Sequence, residues 1–155
     1  MARRRARELA FRALFQADRG QADLDEVWNQ IRSEAREAMD QDVDDGYEDV
    51  LDTEGLDFAE RIVHAYRDHR SEVDEDLAER IEGWTFSQMS QTDLNILRIA
   101  VTELRYETDI PPRVTLEMAV RLAKRFGGED SGRFVNGVLA SWYREHHAHE
   151  VEGVS

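Results

Sequence analysis

Arg3-Arg4-Arg5-Ala6-Arg7-Glu8-Leu9-Ala10-Phe11-Arg12-Ala13-Leu14-Phe15-Gln16-Ala17-Asp18-Arg19-Gly20 is the stretch whose periodicity decides the fold class. Ala6, Leu9, Ala10, Ala13, Leu14 and Ala17 recur three and four residues apart and fall on one arc of a helical wheel. This predicts a helix over 3–18, with Gly20 as its stop. The rest of the chain continues in the same manner. Its two prolines stand together at Pro111-Pro112, Ala, Leu, Glu and Arg abound, and no segment alternates with period two. The class is all-α.

Working outward, a second helix is expected over 24–39, built on Val27, Trp28, Ile31 and Ala35. A third runs over 56–82 through Phe58, Ala59, Ile62, Val63, Tyr66, Val73, Leu77 and Ile81, with a break in its middle at 68–72. A fourth follows Ser90 or Thr92 as far as Glu107 and faces inward through Leu94, Leu97, Ala100, Val101 and Leu104. Pro111-Pro112 separate it from a fifth over 114–126, which Gly127-Gly128 close. Asp130 or Ser131 caps a sixth that carries Phe134, Val135, Val138, Leu139 and Trp142. The count is about six to seven helices. Gly83 suggests a boundary between an N-terminal lobe, 1–82, and a C-terminal three-helix lobe, 83–145, with a flexible polar tail at 146–155.

Charge carries the functional signal. The net charge is −14, yet the first helix opens with Arg3, Arg4, Arg5 and Arg7, with Arg12 beyond them. A patch kept positive against that global field points to a polyanion, RNA first. Phe11 and Phe15 fall off the apolar arc beside Arg4 and Arg7. Aromatic rings among guanidinium groups suit a platform for single-stranded nucleic acid. Two readings stay open for both rings: that platform, or a helix buried on two sides.

Several chemistries are excluded. There is no cysteine, hence no disulfide, thiolate metal site or thiol nucleophile. No apolar run approaches the roughly 20 residues of a membrane span, and Glu8 and Asp18 interrupt any leader-like reading of the basic start, so the expectation is a cytoplasmic protein. Neither standard phosphate-binding glycine loop nor a nucleophile elbow is present. His64 and His69 do not share a helix face, and His146, His147 and His149 read as a solvated cluster in the tail. The acidic insert at 40–57 contains Asp40-x-Asp42-x-Asp44-Asp45-Gly46, but a calcium loop counted from Asp40 finds Asp45 where glycine is required and Leu51 where a bidentate Glu is required. No cofactor, no metal and no catalysis are expected.

The C-terminal half is denser in pattern. It reads Gly83-Trp84, then Asp93-Leu94-Asn95-Ile96-Leu97-Arg98-Ile99-Ala100-Val101-Thr102-Glu103-Leu104, then Ile110-Pro111-Pro112-Arg113-Val114. Ala119-Val120-Arg121-Leu122-Ala123-Lys124-Arg125-Phe126-Gly127 and Asp130-Ser131-Gly132-Arg133-Phe134-Val135-Asn136-Gly137-Val138-Leu139 complete it. With Arg3-Arg4-Arg5-Ala6-Arg7-Glu8 and Ala13-Leu14-Phe15, the order and spacing closely resemble the NusB family of bacterial transcription antitermination factors, over roughly 2–18 and 80–143. The resemblance implies two small helical bundles and a function without catalysis: binding single-stranded boxA RNA, pairing with the small-ribosomal-subunit protein NusE, and joining an antitermination complex on RNA polymerase in ribosomal RNA operons. It assigns RNA binding to Arg3, Arg4, Arg5, Arg7, Phe15, Asp130, Arg133, Phe134 and Asn136, and the partner side to Asp93 and Arg98. Glu117-Met118, Gln88 and Leu94 depart from the family's usual residues. The oligomeric state is open, including a homodimer through the partner face when NusE is absent; two readings stay open for Trp84 and Trp142, that face or the core. The alternative function is a helical adaptor whose arginines cap an acidic protein partner; it predicts binding that ignores RNA sequence.

Overall fold

A computed structural model describes residues 3–41, 50–81 and 85–154, with side chains described as far as 146. Most of the acidic insert, Gly83-Trp84, His147 and His149 lie outside the described side chains. The described residues form seven α-helices and no strand: α1 Arg4–Gly20, α2 Leu24–Asp40, α3 Thr53–Asp68, α4 Arg70–Arg80, α5 Gln91–Tyr106, α6 Pro112–Gly127 and α7 Glu129–Val154. A single 3-10 turn, Phe86–Gln88, precedes α5.

Two compact units emerge, Met1–Arg70 and Ser71–Ser155. The sequence reading drew its line at 82; here the third predicted helix is split at His69, and nearly all of α4 goes with the second unit. Two further readings need revision. The last helix starts at Glu129, so Asp130 and Ser131 lie inside its first turn and neither is its cap. Its backbone stays helical to Val154, where the sequence reading has a flexible tail.

In the first unit, α1 buries the arc read from the sequence, and α2 and α3 add Trp28, Ile31, Phe58, Ile62, Val63 and Tyr66. Asp23 and Asp52 cap α2 and α3 by accepting from Asp25 N and Gly55 N, at 2.9 and 2.8 Å. Glu60 ties α3 to α2. It accepts from Trp28 Nε1 at 3.0 Å and pairs with Arg32. Burial pushes its carboxyl upward, but the hydrogen bond from Trp28, then that from Arg32, and the charges of Arg32 and His64 outweigh this and hold it below its ordinary value of 4.5. A carboxyl with a depressed folded pKa stabilises the fold above its unfolded value, and that contribution fades as pH falls through the folded value. The stability advantage of the wild type over Glu60→Gln should therefore be fully present near neutrality and shrink below about pH 4.5, as read by urea unfolding across pH. A gap that persists unchanged into acid would refute it.

In the second unit, α5 is buried almost all round. Leu94, Ile96, Leu97, Ile99, Ala100 and Val101 pack there, and so do Asn95, Arg98, Thr102 and Glu103. The polar members are satisfied: Asn95 Nδ2 donates to Gln91 O at 2.8 Å, Thr102 Oγ1 to Arg98 O at 2.6 Å, and Thr115 Oγ1 to Glu103 at 2.9 Å. The departures from the family's usual residues find local uses. Gln88 accepts from Thr85 N at 2.8 Å and closes the 3-10 turn, Leu94 and Met118 are buried, and Glu117 pairs with Arg121 at 2.7 Å. No described helix is long and apolar enough to cross a membrane.

Candidate nucleic-acid interface

The basic start of the chain folds into a helix that no side chain caps. Arg3 is the N-cap residue, at φ 58 and ψ 37, and the first turn of α1 contains no acidic residue. A left-handed arginine costs on the order of 1–3 kcal/mol, so the surrounding structure must hold it there. From that position its guanidinium lies over the buried ring of Phe58, 4.7 Å from the centroid. Arg7, one turn on, lies 5.2 Å from the same centroid. Each such contact is worth about 0.5–1 kcal/mol at an exposed site and about 2 when desolvated. The positive end of the α1 dipole faces the same end of the helix, which suits an anion.

The sequence-assigned residues of the first unit divide by depth. Arg3, Arg4 and Arg5 are half-buried, and Arg4 Nε is buried without a hydrogen-bond partner. Arg7 is only 4% exposed, so it acts as part of the packing beneath this surface as well as a source of positive potential. Phe11, for which core and platform were both open, is core. Phe15 stays half-buried, 5.7 Å from the Phe11 ring, with the Arg19 guanidinium 5.9 Å from its own centroid. A ring partly open to solvent and flanked by a guanidinium can stack a base.

In the second unit the junction of α6 and α7 presents the other set. Lys124 and Arg125 close α6, and Gly128 follows at φ 92, a conformation that glycine adopts without strain. Gly127 is required for a different reason: a Cβ there would stand 2.2 Å from Ser131 Oγ, so the first turn of α7 sits against bare backbone. This close approach delivers Asp130 and Arg133 to the surface, where they pair with each other while both stay exposed. An exposed pair of this kind holds with about 0–1 kcal/mol, weak enough for a phosphate to displace the carboxylate. Phe134 is half-buried, and Asn136 is exposed rather than part of the core.

Asp93 and Arg98 lie on α5. Asp93 is half-buried, donates its backbone N–H to Oγ of the N-cap residue Ser90 at 3.0 Å, and keeps Oδ1 buried without a hydrogen bond. Arg98 is 8% exposed and engaged internally: Nε and one terminal nitrogen donate to the two oxygens of Asp74 at 3.0 and 3.2 Å, the other donates to Asn95 Oδ1 at 3.1 Å, and the guanidinium lies 5.5 Å from the Phe86 centroid. Such a residue shapes a surface from beneath.

The family model for NusB matches residues 4–144. The chain belongs to the NusB family. It is 48% identical over 153 residues to a protein of Thermus thermophilus named transcription antitermination protein NusB, with 99% of this chain and 97% of that one covered. Among solved structures it resembles a T. maritima NusB, with TM-score 0.73 and 35% identity over 90% of this chain and 88% of that one. It shares the fold of a chain in a crystal structure of antitermination factors NusB and NusE in complex with dsRNA, with TM-score 0.75 and 22% identity over 93% and 97% of the two chains. The NusB family match runs through the middle of the chain, between the stretches 2–18 and 80–143 on which the sequence resemblance rests.

Sequence reasoning missed two parts of the architecture around these residues. Phe58 and Arg61 belong with the basic start, the Arg61 guanidinium lying 5.6 Å from the Phe58 centroid. The three-residue spacing of an aromatic and an arginine on one helix was the available signal. Asp76 is the other, a buried acid that gathers Arg80, Arg105 and Trp142. In a chain with 34 acidic residues nothing marks one of them as buried.

Proposed function

We propose that this protein is a transcription antitermination factor, without catalysis, that binds single-stranded boxA-type RNA together with NusE and supports processive transcription of ribosomal RNA operons within an antitermination complex on RNA polymerase. The observation that carries this reading is the uncapped, arginine-rich start of α1, free of acid in its first turn within a chain of net charge −14. Arg3, Arg4 and Arg5 meet phosphates, with Arg7 adding potential from below. Phe15 and Phe134 offer faces for bases, and Arg133 and the exposed Asn136 offer a phosphate contact and a base-edge contact, Asp130 giving up its partner or accepting from a base. Membership of the NusB family and the relatives named as antitermination proteins support it. We assign the NusE side to the start of α5, where Asp93 faces outward in part and Arg98 holds Asp74 and Asn95 in place.

The anionic body limits affinity. Screening confines its repulsion to about 8 Å at physiological ionic strength, but within that distance acidic neighbours oppose the strand. RNA binding by the protein alone is therefore expected to be modest and to tighten when NusE is added. Gel shifts with a boxA-like RNA and a scrambled control, each with and without NusE, test both parts. Equal affinities with and without NusE would contradict the pairing. A shift indifferent to RNA sequence would favour the adaptor reading.

A further inference from the structure

Lys124 is the only lysine among the 20 lysines and arginines of the chain. It stands in the last turn of α6, where the helix dipole favours a cation but does not choose between the two types. The choice follows from a contact. Lys124 crosses to the first turn of α7 and lies along Gly132: a Cβ at that glycine would stand 2.6 Å from Lys124 Cγ, 3.4 Å from Cδ and 3.1 Å from Cε. The aliphatic stem therefore follows bare backbone. In arginine the atom after Cδ is the polar Nε–H, which such a contact would strip of water. The residue is exposed all the same, as expected of a lysine packed by its stem with its ammonium in water. Among the described residues this ammonium has no hydrogen bond or ion pair. Of the acids near it along the two helices, Asp130 pairs with Arg133 and Glu117 with Arg121, and Glu129 forms no ion pair with it. Gly132 shares a face of α7 with the exposed Asn136, four residues on, and adjoins the exposed Arg133. Lys124 thus enters, from a second helix, the surface that the RNA reading gives to α7.

We propose that Lys124 is a phosphate-binding residue. Its ammonium takes one phosphodiester of the bound RNA beside the base that Asn136 reads, and Gly132 is the positioning residue that holds its stem. An ammonium offers three donors without a fixed plane, so it meets a phosphate from several directions. A stem already held against α7 loses little freedom when the strand arrives. The inference rests on the RNA reading above and deepens it: it adds α6 to the surface, and a residue that neither the basic run at the chain start nor the start of α7 contains.

A single lysine makes the test selective. Reductive methylation with isotope-labelled formaldehyde keeps the positive charge and marks only Lys124 and the N-terminal amine. Titration of the labelled full-length protein with the boxA-like RNA should shift the Lys124 methyl signal, which Lys124→Ala identifies by its absence. Loss of one phosphate contact to a single strand should flatten the slope of log K against log[salt] by about 0.7 in Lys124→Ala, and the exposed control Arg36→Ala should keep the wild-type slope. Gly132→Ala keeps the charge but displaces the stem, and it should bind roughly tenfold more weakly, as for one charge-assisted hydrogen bond lost. Thermal unfolding checks that each variant is folded; should Gly132→Ala fail to fold, the Lys124→Ala slope and the labelled signal decide alone. If the wild type binds RNA while its Lys124 signal stays in place and Lys124→Ala keeps the full slope, the phosphate contact is wrong and the RNA reading stands. A folded Gly132→Ala protein that binds as the wild type does overturns the role given to Gly132. If the wild type does not bind RNA at all, the RNA reading and the Lys124 contact fall together.

Discussion

A protein carrying Arg4→Glu and Arg5→Glu should keep the helix content of the wild type and lose RNA binding by two to four orders of magnitude. Both side chains are half-buried at the start of α1. Each charge-assisted hydrogen bond to a phosphate is worth about 1.5–3 kcal/mol, so two together account for about 3–6 kcal/mol. Reversing the charges also places carboxylates where the strand must pass. Glutamate is well tolerated in the first turn of a helix, because it complements the dipole, so folding should not suffer. The choice of positions matters. Arg7 looks equally suitable in the sequence, but it is buried and stacked on Phe58, and a carboxylate there would unsettle α1 against α3. Loss of binding in an Arg7 variant would therefore confound unfolding with lost contact. Gel shift for affinity and far-ultraviolet circular dichroism for helix content separate the two. Undiminished binding by the doubly reversed protein would remove the start of α1 from the RNA surface.

The same comparison shows what a sequence can and cannot deliver. Helical periodicity located α1, α2, α5 and α6 within a few residues, because one buried face per helix leaves its mark at three- and four-residue spacing. Punctuation was read less well. Gly20 was expected to stop α1, but it remains helical and Gln21 takes the left-handed position after it, at φ 49. The start of α7 was placed at the best capping residues, Asp130 or Ser131, whereas the helix begins at Glu129, directly after Gly128. For the site, composition revealed that the arginine run is a surface of unusual sign. It could not reveal depth. Arg3, Arg4, Arg5 and Arg7 look alike as letters, yet Arg7 is nearly closed to solvent and Arg3 is bent back at the N-cap. Depth depends on what α3 brings against α1, and Phe58 and Arg61 lie some fifty residues away, beyond the reach of any local pattern. Arg98 shows the converse. The family resemblance assigned it to the partner side, but Asp74 and Asn95 engage its guanidinium from within.

Asp76→Ala should be the most destabilising single change in the second unit, by about 3–5 kcal/mol, the range observed when one partner of a buried ion pair is removed. Asp76 is 8% exposed and carries three donors from three places: Trp142 Nε1 at 2.8 Å, Arg105 at 3.1 Å and Arg80 at 3.4 Å. Alanine would leave an indole N–H and two guanidinium groups, one of them on a side chain only 10% exposed, without their shared acceptor. Arg80 retains Glu145 at 3.1 Å, which softens its part of the loss. Trp142 has no such substitute: its ring is stacked on His146 at 3.7 Å, so it cannot swing out without breaking that contact too. A loss of this size is a large part of the 5–15 kcal/mol that ordinary domains possess. Asp76→Asn, which keeps an acceptor but not the charge, should fall between the two. A double-mutant cycle with Trp142→Phe isolates the indole hydrogen bond, and a coupling of about 0.5–3 kcal/mol is expected for groups in direct contact. Urea unfolding gives each corner of the cycle, and an Asp76→Ala protein within about 1 kcal/mol of wild type would show that the buried acid contributes nothing beyond its neighbours. The consequence for RNA follows from connectivity. Trp142 lies on the helix that carries Arg133 and Phe134 at its start, and Asp76 anchors that helix to α4 and α5. On the proposed RNA reading, below its unfolding transition the Asp76→Ala protein should keep the contacts proposed for α1 while those proposed for α7 weaken, so its salt slope should fall by no more than the one contact proposed for Arg133, about 0.7.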